Sequence, residues 1–538
     1  MRTYSGRRRA TRKCAACAAV FLFALPGGAT MWGQPGAAAA MNAGGKGRVL
    51  LVLPFDNRTG QPSLEWIREA AAEVLSTRFA SAGFEPTSRA DRMYALDHLG
   101  LPQGFQPSRA SALKLAQTLD ADSIVVGSYT TDGTGIVAEA SLVDVPNLRM
   151  LPTVSARGEM RSLIAVFGDL AWKLTRQLDP TFNVAEETFA AEGNGVPLTA
   201  FEQYIRGITE PDQGERLRHL QEAVKLSPDF GEAWMALGRE EFNGQQYQEA
   251  AAAFAKVDRN GPDGLEAGFY RGLSLMFQGD YAQAQEVFAD VARVLPLAEV
   301  VNNEGVAMSR QGKDGTSLFI EAAAADPNDA DYHFNLAVSL KRHRNTEGAE
   351  NELAQCLKLR PNDSEAQTLE AAWKAQSTGA DASADPLERI ERSFNATAFK
   401  QAAAMLDEMN AKRMAAMGPR ERALALCTQA KGYLDRGLLL EAERLYQDAA
   451  AADAGSAQAH AGLAEVRERS GDADGARKEA HAALELRPTA DAYVVLAQVD
   501  FAAGSLSEAN TEAEDAIKLD PANHGALEIL REIAAKKR

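Results

Sequence analysis

Catalysis needs a nucleophile, an acid–base pair, a metal cage or a phosphate cradle, and the 538 residues of this chain offer little of any. Of the seven histidines, His333 and His343 lie on or near one predicted helix, while His98, His219, His460, His481 and His524 stand alone. A solitary helical histidine is most simply a structural or surface residue. Cys14 and Cys17 have redox or zinc spacing, but they sit in an apolar run read below as a removable leader. Cys356 and Cys427 fall on different predicted helices and read as buried small hydrophobes, not a disulfide. The sequence holds no Walker A loop, no G-x-S-x-G and no H-E-x-x-H. Gly44-Gly45-Lys46-Gly47 precedes the first predicted strand instead of following it, so it is no phosphate loop. Asp56, Asn57 and Asp144 stand at predicted strand ends, where α/β folds bind ligands, and the plainer reading of all three is Asx turns. No catalytic residue, cofactor site or metal ligand is assigned, and the chain is read as a non-enzyme without a cofactor.

Composition points the same way. The chain is 46% hydrophobic and 24% charged, which suits folded protein and excludes wholesale disorder. A formal net charge of −17 argues against nucleic acid as a partner, since phosphate backbones call for clustered Lys and Arg. Aromatic residues are only 7%, and alanine is abundant, which leans toward helices packed through small side chains.

The elements follow from the N-terminus. Arg2, Arg7, Arg8, Arg9, Arg12 and Lys13 precede an apolar run over 14–25, broken by Pro26, Gly27 and Gly28. That is the pattern of a secretory signal, too short for a helix that spans a bilayer with ~20 apolar residues. Cleavage after Ala29 or after Ala40 satisfies the small-residue rule; an uncleaved anchor is the alternative. Residues 30–46 read as a linker. The expectation is export to the periplasm or beyond, with no spanning segment in the mature chain.

Residues 47–182 read as a small α/β domain. The run over 48–55 suits a strand buried on both faces. A helix over 64–79, a short strand at 84–87, helices near 88–98 and 108–119, strands over 121–129, 136–145 and 149–158, and a closing helix over 162–178 follow by periodicity. Val52-Leu53-Pro54-Phe55 with Asn57 and Gly60, then Ala116, Leu119-Asp120-Ala121-Asp122, Val125, Gly127-Ser128 and Leu142-Val143-Asp144, with a final helix from Phe167 to Leu178, resemble the TolB-like amino-terminal domain found ahead of repeat arrays in bacterial proteins. The resemblance implies a mixed sheet with helices against it and no assigned chemistry.

The rest of the chain repeats. Pro228, Pro262 and Pro296 are spaced by 34 residues, as are Pro327 and Pro361, and Pro488 and Pro521 lie 33 apart. In that register Trp234, Leu237-Gly238, Ala250, Phe254 and Pro262 match W-x2-L-G, A-x3-F and P. Weaker copies begin near 265, 330, 457 and 490. The pattern is similar to the tetratricopeptide repeat, which implies an α-solenoid of helix pairs. The expected layout is a first array over 197–374, a linker at 375–386, and a second array over 387–538 that opens on a divergent hairpin (387–416) and ends on a capping helix from His524. That makes nine or ten hairpins. The predicted fold is thus mainly α, a repeat solenoid preceded by a mixed-sheet α/β domain.

In such repeats the first helices line a concave groove that takes peptides. The corresponding positions here are Met235, Phe242, Phe269, Leu273, Met276, Phe277, Phe334 and Val338, with Lys341 and Arg342 at one edge. They serve either as a groove or as internal packing. The family's clamp for C-terminal carboxylates is matched by Asn335 alone, so that ligand is not predicted. Function is read as an interaction scaffold of the bacterial cell envelope, with proteins or peptides as partners. The alternative is an envelope sensor or outer-membrane transport accessory whose α/β domain binds a small ligand or a membrane-protein partner.

Overall fold

The computed structural model describes residues 49–102, 108–191, 195–377 and 386–536. The leader, the linker at 30–46 and the Cys14/Cys17 pair lie outside the described residues, as does most of the linker at 375–386. The chain forms two compact units. Among the described residues, one contains 265–399, and the other joins 49–264 with 400–536.

The second of these units opens with the α/β domain. Its strands are β1 (Val49–Val52), β2 (Asp56–Asn57), β3 (Glu85–Pro86), β4 (Ser123–Asp132), β5 (Gly135–Asp144), β6 (Arg149–Met150) and β7 (Val154–Glu159). Its main helices are α1 (Ile67–Ser81), α2 (Arg89–His98), α3 (Arg109–Thr118) and α4 (Leu163–Leu178). The sheet order is β3-β1-β4-β5-β6, with β2 on β4 and β7 on β5. β1 runs parallel to β3 and β4, while β4, β5 and β7 form an antiparallel meander, so the sheet is mixed. Alternation along the strands explains the layers. Leu50, Val52, Val125 and Leu142 pack with α1 and α4. Leu51, Leu53, Ile124 and Val143 face the other way, onto α2 and α3. Gly127 is obligatory in this arrangement, because a Cβ there would lie 2.3 Å from the Phe55 ring, which meets Phe167 edge-on at 5.7 Å.

Helix pairs follow, as the 34-residue spacing requires. Among the described residues there are eight complete hairpins, five between Leu198 and Leu359 and three between Pro419 and Leu519. The hairpin predicted at 387–416 does not form. Residues 386–395 have no regular structure, and Ala396–Ala416 is one helix, started by Asn395 Oδ1, which accepts the Ala398 N–H at 2.9 Å. Among the described residues, helix Ser364–Ser377 likewise has no second helix of its own.

One contact recurs in the early hairpins. Gly238, Gly272 and Gly305 lie on first helices, and a Cβ at each would meet the ring of Phe254, Phe288 or Phe319 at 2.8, 2.6 or 2.9 Å. The aromatic ring of the second helix rests on the bare backbone of its own partner helix. The Gly-Asp turns also behave as their chemistry demands. Gly279, Gly471 and Gly504 have positive φ, and Asp280 and Asp472 then cap the next helices through the N–H groups of Gln283 and Gly475.

The later repeats return to the α/β domain. Leu440 is fully buried in the core that also contains Phe182 and Phe189. The carboxylate of Glu443, fully buried, accepts the Ala185 N–H at 3.1 Å and pairs with Arg467 at 3.2 Å. Thr188 Oγ1 donates to Ser470 Oγ at 3.1 Å. Cys356 and Cys427 are free and buried, as read from their helices.

Two consequences are measurable. Gly272→Val should cost about 1–3 kcal/mol by overpacking and Phe288→Ala about 3–5 kcal/mol by cavity formation. In chemical denaturation the double variant should lose less than the sum of the two, because the added valine occupies space that the Phe288 ring has vacated. Separately, burial away from water raises the Glu241 carboxyl to about 7, assisted by Glu249. A carboxyl that holds its proton more tightly folded than unfolded contributes stability below the ordinary carboxylate range and loses it as pH rises toward 7. Glu241→Gln should therefore match the parent in Tm at acidic pH and exceed it above pH 7 by about 2–4 °C.

Candidate functional site

The site lies in the unit formed by residues 265–399. Its walls are the first helices of three successive repeats, Gly264–Gln278, Ala298–Arg310 and Ala330–Arg342, closed at one end by the start of Ser364–Ser377. Across them runs the chain's own segment 386–395.

Asparagines hold that segment by its backbone. Asn335 Oδ1 accepts the Arg389 N–H at 2.6 Å, and its Nδ2 donates to the Arg389 carbonyl at 2.7 Å. Asn303 makes the same pair of bonds two residues on, accepting the Glu391 N–H at 2.9 Å and donating to its carbonyl at 2.7 Å. Asn302 adds a bond to the Arg389 carbonyl at 3.2 Å, while its Oδ1 accepts from Asn335 at 2.8 Å. All three asparagines are almost completely buried. Asn303 and Asn335 occupy one repeat position, two residues before the small residue Gly305 or Ala337. Successive repeats thus present one amide each, and the alternation of residues 389 and 391 is that of an extended chain.

Side chains give the segment its register. The Arg389 guanidinium lies 3.7 Å above the Phe334 ring. It meets Asp331 at 2.6 Å, Asp363 at 2.7 and 2.8 Å, and Glu365 at 2.9 Å. Burial opposes its charge, but these carboxylates outweigh that and hold it firmly protonated. Hydrogen bonding from Arg389 in turn holds Asp363 below the usual carboxylate range. Glu388, 1% exposed at its side chain, is bonded by Ser309 and Arg342, and its carbonyl accepts from Arg310 at 2.9 Å. Further along, Arg392 stands over the Phe277 ring at 5.2 Å, and Phe394 meets Phe269 at 5.6 Å. Asn395 N–H donates to Glu299, whose carboxyl is raised by burial.

The predicted groove residues divide accordingly. Phe269, Phe277, Phe334 and Arg342 touch the segment. Groove and internal packing are therefore not alternatives here, since Phe269 and Phe334 are fully buried beneath it. Leu273, Met276 and Val338 are buried as well, and Lys341 stacks on Trp373 at 4.8 Å. Met235 and Phe242 belong to the other unit, where Met235 is buried and Phe242 meets Tyr247 edge-on. Asn302, Asn303, Asp331, Asp363 and the segment itself were not anticipated. The equal repeat position of Asn303 and Asn335 is the signal that points to them.

The candidate ligand end of the sheet does not assemble. Asp56 pairs beside Ser128 and Asp144 beside Ser123, five residues apart along β4, or roughly 17 Å. Because β5 is antiparallel to β4, its last residue lies at the opposite edge from Asp56 and Asn57. Asn57 and Asp144 instead make Asx turns, with Thr59 and Asn147 as donors. Those bonds lower the Asp144 carboxyl. Two of the histidines are structural too: His333 and His460 bond Glu352 and Glu479, each nineteen residues on, at 2.6 and 2.8 Å. Among the described residues no cluster of three or more His, Cys, Asp or Glu is placed to hold a metal ion.

A tetratricopeptide-repeat family model matches residues 217–264 and 427–491, and a second one matches residues 266–296. No curated protein matches the chain significantly. Similar solved structures include YrrB, described as a TPR protein with an unusual peptide-binding site, at 20% identity over 34% of this chain and 97% of that one, with a TM-score of 0.30. MamA from Desulfovibrio magneticus RS-1 is 23% identical over 32% of this chain and 99% of that one, with a TM-score of 0.29. The C-terminal domain of LpoB from Salmonella enterica is 23% identical over 24% of this chain and 96% of that one, with a TM-score of 0.19. The helix pairs and the matched family models describe one and the same unit: the helical part of this chain is built from tetratricopeptide repeats.

Proposed function

We propose that this chain is an exported, non-catalytic scaffold of the bacterial cell envelope that binds extended protein segments in the groove of residues 265–377. The observation that carries the reading is the asparagine pair. Asn335 and Asn303 bond the N–H and carbonyl of alternate residues, a device that grips any extended backbone. Export is supported by the basic stretch and short apolar run at the N-terminus. The α/β domain, of the TolB-like kind, anchors the later repeats through Glu443 and Leu440.

A second reading has one observation in its favour. A cleft of about 350 Å³ opens beside Leu53 and Pro54, at the carboxyl end of β1, and is lined by Arg68, Arg89, Arg92 and Arg206 together with Glu65, Glu69 and Glu210. That is the edge of the sheet where α/β domains take ligands. It keeps the envelope sensor in view.

Two tests address the primary reading. Panning a random peptide library against the full chain should enrich sequences whose retention is lost when Asn302, Asn303 and Asn335 are all changed to Ala. Identical pools from parent and triple variant would refute the groove. For export, replacing Phe21, Leu22 and Phe23 with Asp places charge in the apolar core, which the export machinery rejects. The variant should stay in the cytoplasm while the parent is recovered from the periplasm, and equal recovery of both would refute the leader.

A further inference from the structure

The segment across the groove is bound as a ligand is bound. Its backbone is held by side chains, not by a strand or helix, and its side chains enter polar pockets. Leu387 is 64% exposed and contributes little to a core. Glu388 and Arg389 do the opposite. One is enclosed by Ser309, Arg310 and Arg342, and the other is set against three carboxylates with its flat face on Phe334. A groove lined by Asp331, Asp363 and Glu365 on one side and by Arg310 and Arg342 on the other is matched only by adjacent residues of opposite charge. The carboxylate cluster has one fixed cation, Arg360, which meets Asp331 at 2.8 Å and Asp363 at 3.6 Å; three carboxylates against one guanidinium still call for a second cation, since like charges brought together are costly when unpaired. Arginine suits it better than lysine, because a planar fork satisfies several carboxylates and stacks on an aromatic ring at once.

We propose that residues 386–395 are an internal competitor. The groove recognises an extended segment of a partner protein that carries Glu-Arg, and the chain's own copy of that pair, Glu388-Arg389, holds the groove closed until the partner segment displaces it. This rests on the peptide-scaffold reading above and adds to it the ligand chemistry and the closure. The contacts favour exchange. They are hydrogen bonds and ion pairs, with ring contacts at Phe269, Phe277 and Phe334, and a competing segment of the same chemistry replaces the polar ones one for one. The clamp holds residues 389 and 391 by their backbones and leaves residue 390 unclamped, so partners need share only the Glu-Arg pair.

The test uses the full chain and a labelled peptide of the sequence 386–395. In fluorescence anisotropy the parent should bind it about tenfold or more weakly than the variant Glu388→Ala/Arg389→Ala, because the parent's groove is free only a minor fraction of the time. Adding Asn303→Ala and Asn335→Ala to that variant should abolish binding. So should replacing the arginine equivalent to Arg389 in the peptide. Circular dichroism establishes that each variant is folded. If the strap variant fails to fold, hydrogen exchange on the parent decides the matter. Excess peptide should speed exchange at the amides of Arg389 and Glu391 while leaving helices Ala298–Arg310 and Ala330–Arg342 protected. Equal peptide affinity for parent and folded strap variant, or exchange at residues 389 and 391 that the peptide does not alter, overturns the proposal. So does a parent dimer that dissolves on strap substitution, because the occupant would then be a second copy. Library peptides that depend on the asparagines but lack Glu-Arg would sink this inference alone, whereas loss of asparagine-dependent selection would sink the scaffold reading itself.

Discussion

A side chain missing from one helix sets the spacing of the repeats. At Gly238, Gly272 and Gly305 an aromatic ring from the second helix lies where a Cβ would otherwise be. Two helices pressed that closely form one rigid plate, with the ring as its filler. Stacking of such plates brings equivalent positions of successive first helices onto one side. Asn303 and Asn335 become neighbours along a groove for that reason alone, although 32 residues separate them. The clamp on residues 389 and 391 is thus a product of the packing beneath it. A helix pair held further apart would put its amide out of step with the strand-like rise of the bound segment.

The α/β domain obeys a different constraint. Its sheet is covered on both faces, so its strands read as apolar runs, and Gly127 makes room for Phe55. Its core continues through Phe201, Tyr204 and Phe230 of the first helix pairs and takes in Leu440 from the later repeats. That continuity makes the unit a closed body joined from chain ends far apart in sequence. Glu443 is the polar member of the junction. It is fully buried, yet supplied with the Ala185 N–H, Gln447 and Arg467 as partners.

Periodicity made the repeats and the order of strands legible in advance. The 34-residue proline spacing and the small-then-large pattern at Gly238 and Phe254 are local, so a sequence displays them. The strap is not local. Residues 386–395 contact helices from 24 to 125 residues upstream, and nothing in their own pattern marks an extended segment. The apolar and charged residues of 387–416 suggested a hairpin because the helix Ala396–Ala416 supplies half of one. Asn303 escaped notice because its repeat is short, with Pro296 and Pro327 only 31 residues apart, which blurs the register. Asp144 was grouped with Asp56 since both end strands. Strand direction, which a sequence does not display, sends them to opposite edges.

The strap and its groove belong to one chain, and this changes what the groove responds to. A ligand tethered beside its own site acts at an effective concentration on the order of millimolar. A free partner meets that figure as a threshold. Scarce or weakly matched segments leave the site shut, and only a locally crowded or multivalent partner, such as an assembly presenting many copies of one tail, crosses it. An ordinary peptide groove reports the presence of its ligand. A groove that carries its own ligand reports the partner's abundance.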